Sequence, residues 1–369
     1  MIQQAYIGKD SIKEIAPLLK KHNAKHVFLV RGKGSYKACG AEKVIKNAIT
    51  IANCNITEYY DFSENPKCED MVKGIELLRS SNADFIIAVG GGSVMDMAKL
   101  IRFFSSYKGD ITGKSYEKEG FLYPLIAMPT TAGTGAEATH FAVVYKDKIK
   151  YSAEHDDMLP DYAIVYPQFT YGNSKYLTAC TGFDALSQAI EAFWNLNATD
   201  ESDIYAERAI KLLWPNLPEV VNNPTEEIRD IVSEGAYWAG RAINITKTTA
   251  PHAFSYPFTS YCGYPHGHAV ALTFPFFASL NCSKRNINIK RINSLLVLLK
   301  IDSATDLFQK LTDYIEILGL SMKTDSIVDS DLVLKLVNID RLNNNPVTMN
   351  EEILQSLINH LNNYARNTN

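Results

Sequence analysis

Asp184 and Gln188, four residues apart, and His252 and His266, fourteen apart, carry donor atoms suited to a divalent-metal site. A carboxylate and two imidazoles suit borderline ions such as Fe²⁺ or Zn²⁺, whereas a glutamine carbonyl is a weaker, neutral donor. Residues four apart on a helix share a face, so Asp184 and Gln188 point the same way if the segment TGFDALSQAIEA is helical. The same segment fits a plainer arrangement, in which Thr181 caps the helix, Asp184 answers it and Gln188 is merely polar. A histidine pair arises easily in a chain with eight of them, and spacing alone does not decide.

A second chemistry is suggested by Val89-Gly-Gly-Gly-Ser-Val-Met-Asp-Met-Ala-Lys99, three glycines between a buried strand and a helix whose N-cap would be Ser93. Bare backbone can approach a pyrophosphate closely, and the positive end of the helix favours its charge. Ser93 and Asp96 would equally suit ordinary capping. Pro129-Thr-Thr-Ala-Gly-Thr-Gly-Ala-Glu137 follows another strand and offers hydroxyls and bare backbone. Ligands of open α/β sheets sit beyond the carboxyl ends of strands, so two such loops reinforce each other. The GxGxxG fingerprint is missing after the first strand, where the chain reads Arg31-Gly-Lys-Gly-Ser, and a different dinucleotide fold is implied.

The elements that must position these groups change character along the chain. Strand-like runs at 26–30, 56–60, 85–89 and 122–128 alternate with helical periodicity at 11–22, 69–81 and 93–104, the pattern of a parallel sheet covered by helices. After 163–167 the segments are helix-like. A two-domain fold is therefore expected: an α/β dinucleotide-binding domain over 1–172 and an all-helical, metal-binding domain over 173–369. The 369 residues, 46% hydrophobic and 21% charged with net charge −4, suit a soluble enzyme and exclude a nucleic-acid footprint or polybasic membrane patch. Six cysteines without a CxxC pair read as reduced thiols, and the N-terminus lacks a signal-peptide pattern, so a cytoplasmic location is expected.

With these motifs in place, the chain resembles the iron-containing (group III) alcohol dehydrogenases over nearly its full length. GGGSVMDMAK, PTTAGTGAEAT, TGFDALSQAIEA and PHAFSYPFTSYCGYPHG occur in that family's order and at its distances. The resemblance implies a dehydroquinate synthase-like fold, an NAD(P) cofactor, a divalent metal and a cleft between two domains. Gly91, Gly92 and Ser93 match its pyrophosphate loop, Asp96 lies in the same motif, and Thr130, Thr131 and Thr134 match the second cofactor loop. Asn65 and Lys150 look like residues lining the nicotinamide end. Asp184, His252 and His266 match three metal ligands. The chain departs at Gln188, where the family has histidine, and at Tyr256, where it tends to have another; His268 is a pocket candidate. No acid stands near the end of the first strand, where many members hold the adenine ribose with one, so Arg31 or Lys33 is expected to admit the 2′-phosphate of NADPH.

The chemistry expected is reversible hydride transfer between the nicotinamide and an aldehyde carbon, with Tyr256 or His268 relaying a proton. Arg241, Asn244, Lys247, Thr248 and Thr249 crowd the segment before His252, an unusual density of anion-binding groups, although a helix end with solvated bases looks the same. The stretch TAPHAFSYPFTSYCGYPHGHAVAL also resembles the phosphonoacetaldehyde reductase (hydroxyethylphosphonate dehydrogenase) branch, whose anionic substrate would suit Lys247. The alternatives are a general dehydrogenase for short alcohols or diols and a dehydroquinate synthase-type lyase or cyclase. A small-molecule substrate, no nucleic-acid or membrane partner, and a homodimer are expected.

Overall fold

The computed structural model describes residues 2–111, 113, 115–147, 149–283, 288–323, 333, 337 and 339–366; Lys148, beside Lys150 in the sequence, lies outside them. The chain divides into two compact units, Met1–Asn173 and Ser174–Asn369. The first carries β1 (Gln4–Ile7), α1 (Ile15–Lys21), β2 (His26–Arg31), α2 (Ser35–Ala38), α3 (Ala41–Ala52), β3 (Asn55–Tyr59), α4 (Cys68–Ser80), β4 (Phe85–Gly90), α5 (Gly92–Ser106), the short strands β5 (Tyr107–Lys108) and β6 (Glu117–Lys118), β7 (Leu125–Pro129), the hairpin β8 (Phe141–Lys146) and β9 (Ile149–Glu154), and β10 (Tyr162–Val165). Six strands form one parallel sheet in the order β1-β10-β7-β4-β2-β3.

Strand periodicity explains why this sheet is buried on both faces. Phe28, Val30, Ile86 and Ala88 belong to a core with Met71, Ile75, Ile101 and Phe103 of α4 and α5. Their alternating neighbours Val27, Leu29, Ile87 and Val89 join Ile15, Leu19, Ile45 and Ile49 of α1 and α3 on the other face. Each fully buried side chain of this size contributes about 1.5–3 kcal/mol, enough to fix the register of the central strands and hence the level at which their loops emerge.

The second unit is helical in its described residues: α6 (Lys175–Trp194), α7 (Asp200–Asn222), α8 (Glu226–Thr246), α9 (Ala250–Tyr261), α10 (His266–Ser283), α11 (Ile289–Leu299), α12 (Leu307–Ile317) and the segments Ile339–Leu342 and Glu351–Arg366. From Thr178 to Trp194 nearly every residue of α6 is buried, because α7, α8 and α10 all pack against it. The helix starts seven residues earlier than a cap at Thr181 would allow: Ser174 is the N-cap, its Oγ accepting the Leu177 N–H at 3.3 Å, and the Thr181 hydroxyl donates to the Leu177 carbonyl. Asp184 and Gln188 therefore sit in mid-helix, and capping does not explain them. No helix of the described residues is long and apolar enough to cross a membrane.

One buried acid in the first unit sets a pH dependence. Glu137 lies in a short turn (Ala136–Ala138) after β7, and burial pushes its carboxyl up to about 7, the charge of Lys99 offsetting this only in part. The unfolded chain releases that proton near the ordinary value of 4.5, so the folded state is increasingly disfavoured as pH rises from 4.5 to 7. Urea unfolding at pH 5 and pH 8 is expected to show the wild type losing about 2–3 kcal/mol relative to Glu137→Gln over that interval; parallel pH profiles would show that Glu137 ionises freely.

Candidate dinucleotide loops and metal centre

Three loops of the first unit, after β3, β4 and β7, lie beyond the carboxyl ends of strands of one parallel sheet. β4 pairs with β7 up to Gly90 and Pro129, and the Thr130 N–H donates to the Gly90 carbonyl at 2.9 Å. The glycine loop thus lies against the threonine loop: a Cβ on Gly92 would come within 2.9–3.3 Å of Thr134, whereas one on Gly91 would meet only the Thr131 hydroxyl, at 3.8 Å. Helix α5 begins at Gly92 with Gly91 as its N-cap, two residues before the expected cap at Ser93. Ser93 has another post: its Oγ accepts the N–H of Asn65, whose φ of 59° places it in the left-handed region. The side chain of Asp96 ties this corner to the β8–β9 hairpin, accepting the Val143 N–H at 3.1 Å beside the buried Lys99 ammonium at 3.5 Å. Across the hairpin, Tyr145 pairs with Lys150 and donates its N–H to the Pro66 carbonyl. All nine dinucleotide-loop candidates, Asn65, Gly91, Gly92, Ser93, Asp96, Thr130, Thr131, Thr134 and Lys150, belong to this one corner. It combines bare backbone, hydroxyls and a helix N-terminus, which is the chemistry a pyrophosphate needs.

The end of β2 differs from expectation. Acids do stand beside it, supplied by the neighbouring strand and its loop: Arg31 Nε donates to Glu58 at 2.7 Å, and Tyr60 lies over the guanidinium at 3.7 Å. Lys33 is more exposed and lies 3.3 Å from Asp61.

In the helical unit one donor atom each from Asp184, His252 and His266 lie within 4.8 Å of one another. Asp184 Oδ1 is 3.2 Å from His252 Nε2 and 3.7 Å from His266 Nε2. Asp184, His252 and Gln188 are buried, while His266 is about one-third exposed and leaves a way in. Gln188 Nε2 donates to Asp184 Oδ2 at 3.2 Å, which turns Oε1 into the other half of the amide, and that oxygen is buried without a hydrogen-bond partner. A buried acceptor left without a donor costs free energy unless something electropositive meets it. Donor set and orphaned oxygen together fit a divalent cation.

Glu191 was not foreseen. It follows Asp184 by seven and Gln188 by three residues, so it completes a polar stripe along α6, and it is fully buried. Its carboxylate accepts from His252 Nδ1, and from the N–H and hydroxyl of Thr249 at 2.5 and 2.7 Å; Thr249 is itself held by Trp194 Nε1–H at 3.0 Å. Such a carboxylate fixes the ring of His252 and presents Nε2 outward, as second partners of metal-binding histidines do. Burial alone would lower the basicity of His252, but Glu191 and Asp184 outweigh it and raise the imidazole to about 10. The two carboxylates thus favour a positive charge at His252, and a divalent cation held here would compete with that proton.

Tyr256 lies beside His266, ring centroids 6.3 Å apart and nearly parallel. His268 does not join the cluster. Its Nε2–H donates to the Ser321 carbonyl at 2.7 Å and Nδ1 accepts the Tyr176 hydroxyl at 2.8 Å, so both ring nitrogens are engaged away from the donor cluster. The expected density of anion-binding groups before His252 also thins out. Arg241 is taken up by Tyr205 and Tyr237, and Thr249 serves Glu191. Lys247 stands out instead, with φ 62° and ψ −172°, a backbone region that is nearly glycine-only. Its carbonyl is held by Asn195 Nδ2 and the Thr246 hydroxyl, and that of Thr248 by Asn344 Nδ2.

Two family models match, one described as iron-containing alcohol dehydrogenase over residues 3–167, the other as the C-terminal region of the Fe-containing alcohol dehydrogenase family over 178–361. Among curated proteins, long-chain-alcohol dehydrogenase 1 of Geobacillus thermodenitrificans is 31% identical over 296 residues, 77% of this chain and 74% of its own. The NAD-dependent methanol dehydrogenase of Bacillus methanolicus is 30% identical over 297 residues, covering 79% and 77%. Among solved structures, sulfoacetaldehyde reductase from Bifidobacterium kashiwanohense in complex with NAD⁺ superimposes with a TM-score of 0.88 at 29% identity, covering 97% of this chain and 96% of its own.

The donor cluster depends on a close approach of α10 to α6. A Cβ on Gly267 would lie 1.9 Å from the Cys180 carbonyl oxygen and 3.2 Å from Asp184 Cβ. Gly267→Ala must push the helices apart and carry His266 from Asp184. The expected result is a loss of about 3 kcal/mol or more in thermal or urea unfolding, together with weakened binding of divalent ions. Unchanged stability and metal affinity would show that the helices are not held so closely.

Proposed function

The chain belongs to the iron-containing alcohol dehydrogenase family, whose members interconvert alcohols and aldehydes with a nicotinamide cofactor, and from that premise we propose that it reduces a short aldehyde bearing an anionic tail to the primary alcohol. Phosphonoacetaldehyde, giving 2-hydroxyethylphosphonate, is the substrate we infer. The observation that carries the redox reading is the donor cluster of Asp184, His252 and His266, with the Gln188 amide hydrogen-bonded to Asp184 and its own oxygen buried without a partner. It accompanies a corner of glycine and threonine loops suited to a dinucleotide, to which we assign Asn65, Gly91, Gly92, Ser93, Asp96, Thr130, Thr131, Thr134 and Lys150.

When bound, the divalent ion polarises the aldehyde oxygen and the nicotinamide supplies the hydride. The rest of the work belongs to the chain. Glu191 holds His252 in one orientation, and Asp184 brings both imidazoles to a common side. The Tyr256 hydroxyl, on a ring beside the partly open His266, is the group we assign to deliver the proton to the product oxygen, the ring nitrogens of His268 being committed elsewhere. NADPH is accepted on this reading alongside NADH, with Lys33 as the cation for a 2′-phosphate, because Glu58 already holds Arg31. The protein works in the cytoplasm as a homodimer on the same reading.

Two features favour an anionic substrate: the strained Lys247, an ammonium kept where glycine would sit without cost, and the overall likeness to a protein named for reducing sulfoacetaldehyde. A general dehydrogenase of short alcohols or diols is the competing reading, supported by the names of other relatives. A cyclase of the dehydroquinate synthase type would regenerate its dinucleotide, so net oxidation of NAD(P)H by the aldehyde excludes it.

Lys247→Ala separates these readings. The KM for phosphonoacetaldehyde is expected to rise about tenfold or more, the loss of one charge-assisted contact, while kcat/KM for propanal stays within about twofold. Equal effects on both aldehydes would remove the anion site. Lys247→Gly is expected to melt at a higher temperature than the wild type, since relieving about 1–3 kcal/mol of backbone strain outweighs the extra freedom of an unfolded glycine.

A further inference from the structure

Among the described residues, Gln188 Oε1 is a buried oxygen without a hydrogen-bond partner, on a side chain that touches Asp184 of the Asp184–His252–His266 donor cluster. Its orientation is not free. The amide nitrogen is held by Asp184 Oδ2 at 3.2 Å, and turning the group over would set Oε1 against a carboxylate oxygen, which repels it. Gln188 sits one turn beyond Asp184 on a helix buried almost all round, so its side chain has no route to solvent. The four donor residues therefore offer an amide oxygen and a carboxylate against two imidazoles. Oxygen donors favour hard ions such as Mn²⁺, whereas imidazole suits Zn²⁺, Fe²⁺ and Ni²⁺; an oxygen in a nitrogen's place weakens the second group more than the first.

We propose that Gln188 is a metal ligand through Oε1 and that it narrows the preference of this centre for Zn²⁺ over Mn²⁺, so that a harder divalent ion competes for the site at comparable free concentrations. This inference rests on the metal-dependent reading above and deepens it by naming the class of ion.

The test is chelator-competition titration of the metal-stripped full-length protein with Mn²⁺ alone and with Zn²⁺ alone, followed by Co²⁺ absorption spectra, for the wild type, Gln188→His, Gln188→Glu and Gln188→Leu. Gln188→His is expected to raise Zn²⁺ affinity about tenfold or more while changing Mn²⁺ affinity about threefold or less. Gln188→Glu, the same shape with a negative charge, is expected to tighten both ions, and Gln188→Leu to weaken both and alter the Co²⁺ spectrum. Glu and His variants keep the test decisive if the leucine variant fails to fold. If the wild type binds both ions and these variants leave the Zn²⁺/Mn²⁺ ratio and the Co²⁺ spectrum unchanged, the proposal for Gln188 is overturned while the metal reading stands. If neither the wild type nor any variant binds a divalent ion, the metal reading falls, and this proposal with it.

Discussion

Two buried carboxylates on one helix, Asp184 and Glu191, are the constraint from which the helical unit can be understood. Both lie on α6 with less than 5% exposure, and neither can be left without a positive partner at tolerable cost. His252 stands between them, one ring nitrogen to each. Its neighbours arrange themselves accordingly: Thr249 turns its N–H and hydroxyl to Glu191, Trp194 backs Thr249, and Gln188 fills the remaining side of Asp184. A centre of this kind wants a cation. A proton on His252 or a divalent ion at the Asp184–His252–His266 cluster would each supply that charge.

Helix packing supplies what electrostatics requires. Bringing His266 to within 3.7 Å of Asp184 calls for α10 to start almost on the backbone of α6, and only a residue without Cβ can stand at position 267 for that approach. The motif Pro265-His-Gly-His thus has a division of labour visible only in three dimensions. His266 faces Asp184, Gly267 allows the approach, and His268 turns away to bind Tyr176 and Ser321. In the first unit, backbone plays the same part: loops after β3, β4 and β7 converge because these strands, with β2 between β3 and β4, end at the same edge of one parallel sheet.

What could be read from the sequence was what local spacing encodes. Strands β2, β3, β4 and β7 followed from hydrophobic runs, whereas the short β1 and the half-exposed β8–β9 hairpin did not, and the glycine and threonine loops followed from their residue types. The helical nature of the second unit followed from periodicity, and Asp184 and Gln188 from their interval of four. Partners brought together by strand pairing were harder to see. Glu58 meets Arg31 from 27 positions away, across the register that sets Leu29 opposite Glu58, so the acid missing from the first strand's end was supplied by the next. Likewise the Ser93 hydroxyl found the Asn65 N–H rather than its own helix, because Gly91 had already begun the turn. Glu191 was within reach of sequence reasoning, one helical repeat past Asp184. Recognising it required treating a polar residue on an otherwise apolar helix as a partner of residues more than fifty positions away.

The strain at Lys247 follows from the same centre. Thr249 must place its N–H 2.5 Å from Glu191 to open α9 and carry His252 inward, which obliges the chain to leave α8 within two residues. A left-handed turn at 247 accomplishes this, and the side chains of Asn195 and Asn344 hold the flanking carbonyls in place. Glycine would make that turn without penalty, so the geometry alone does not account for lysine. The residue that accounts for the turn is Glu191, at a distance: its buried carboxylate draws in the Thr249 N–H and so fixes where the helix carrying His252 begins.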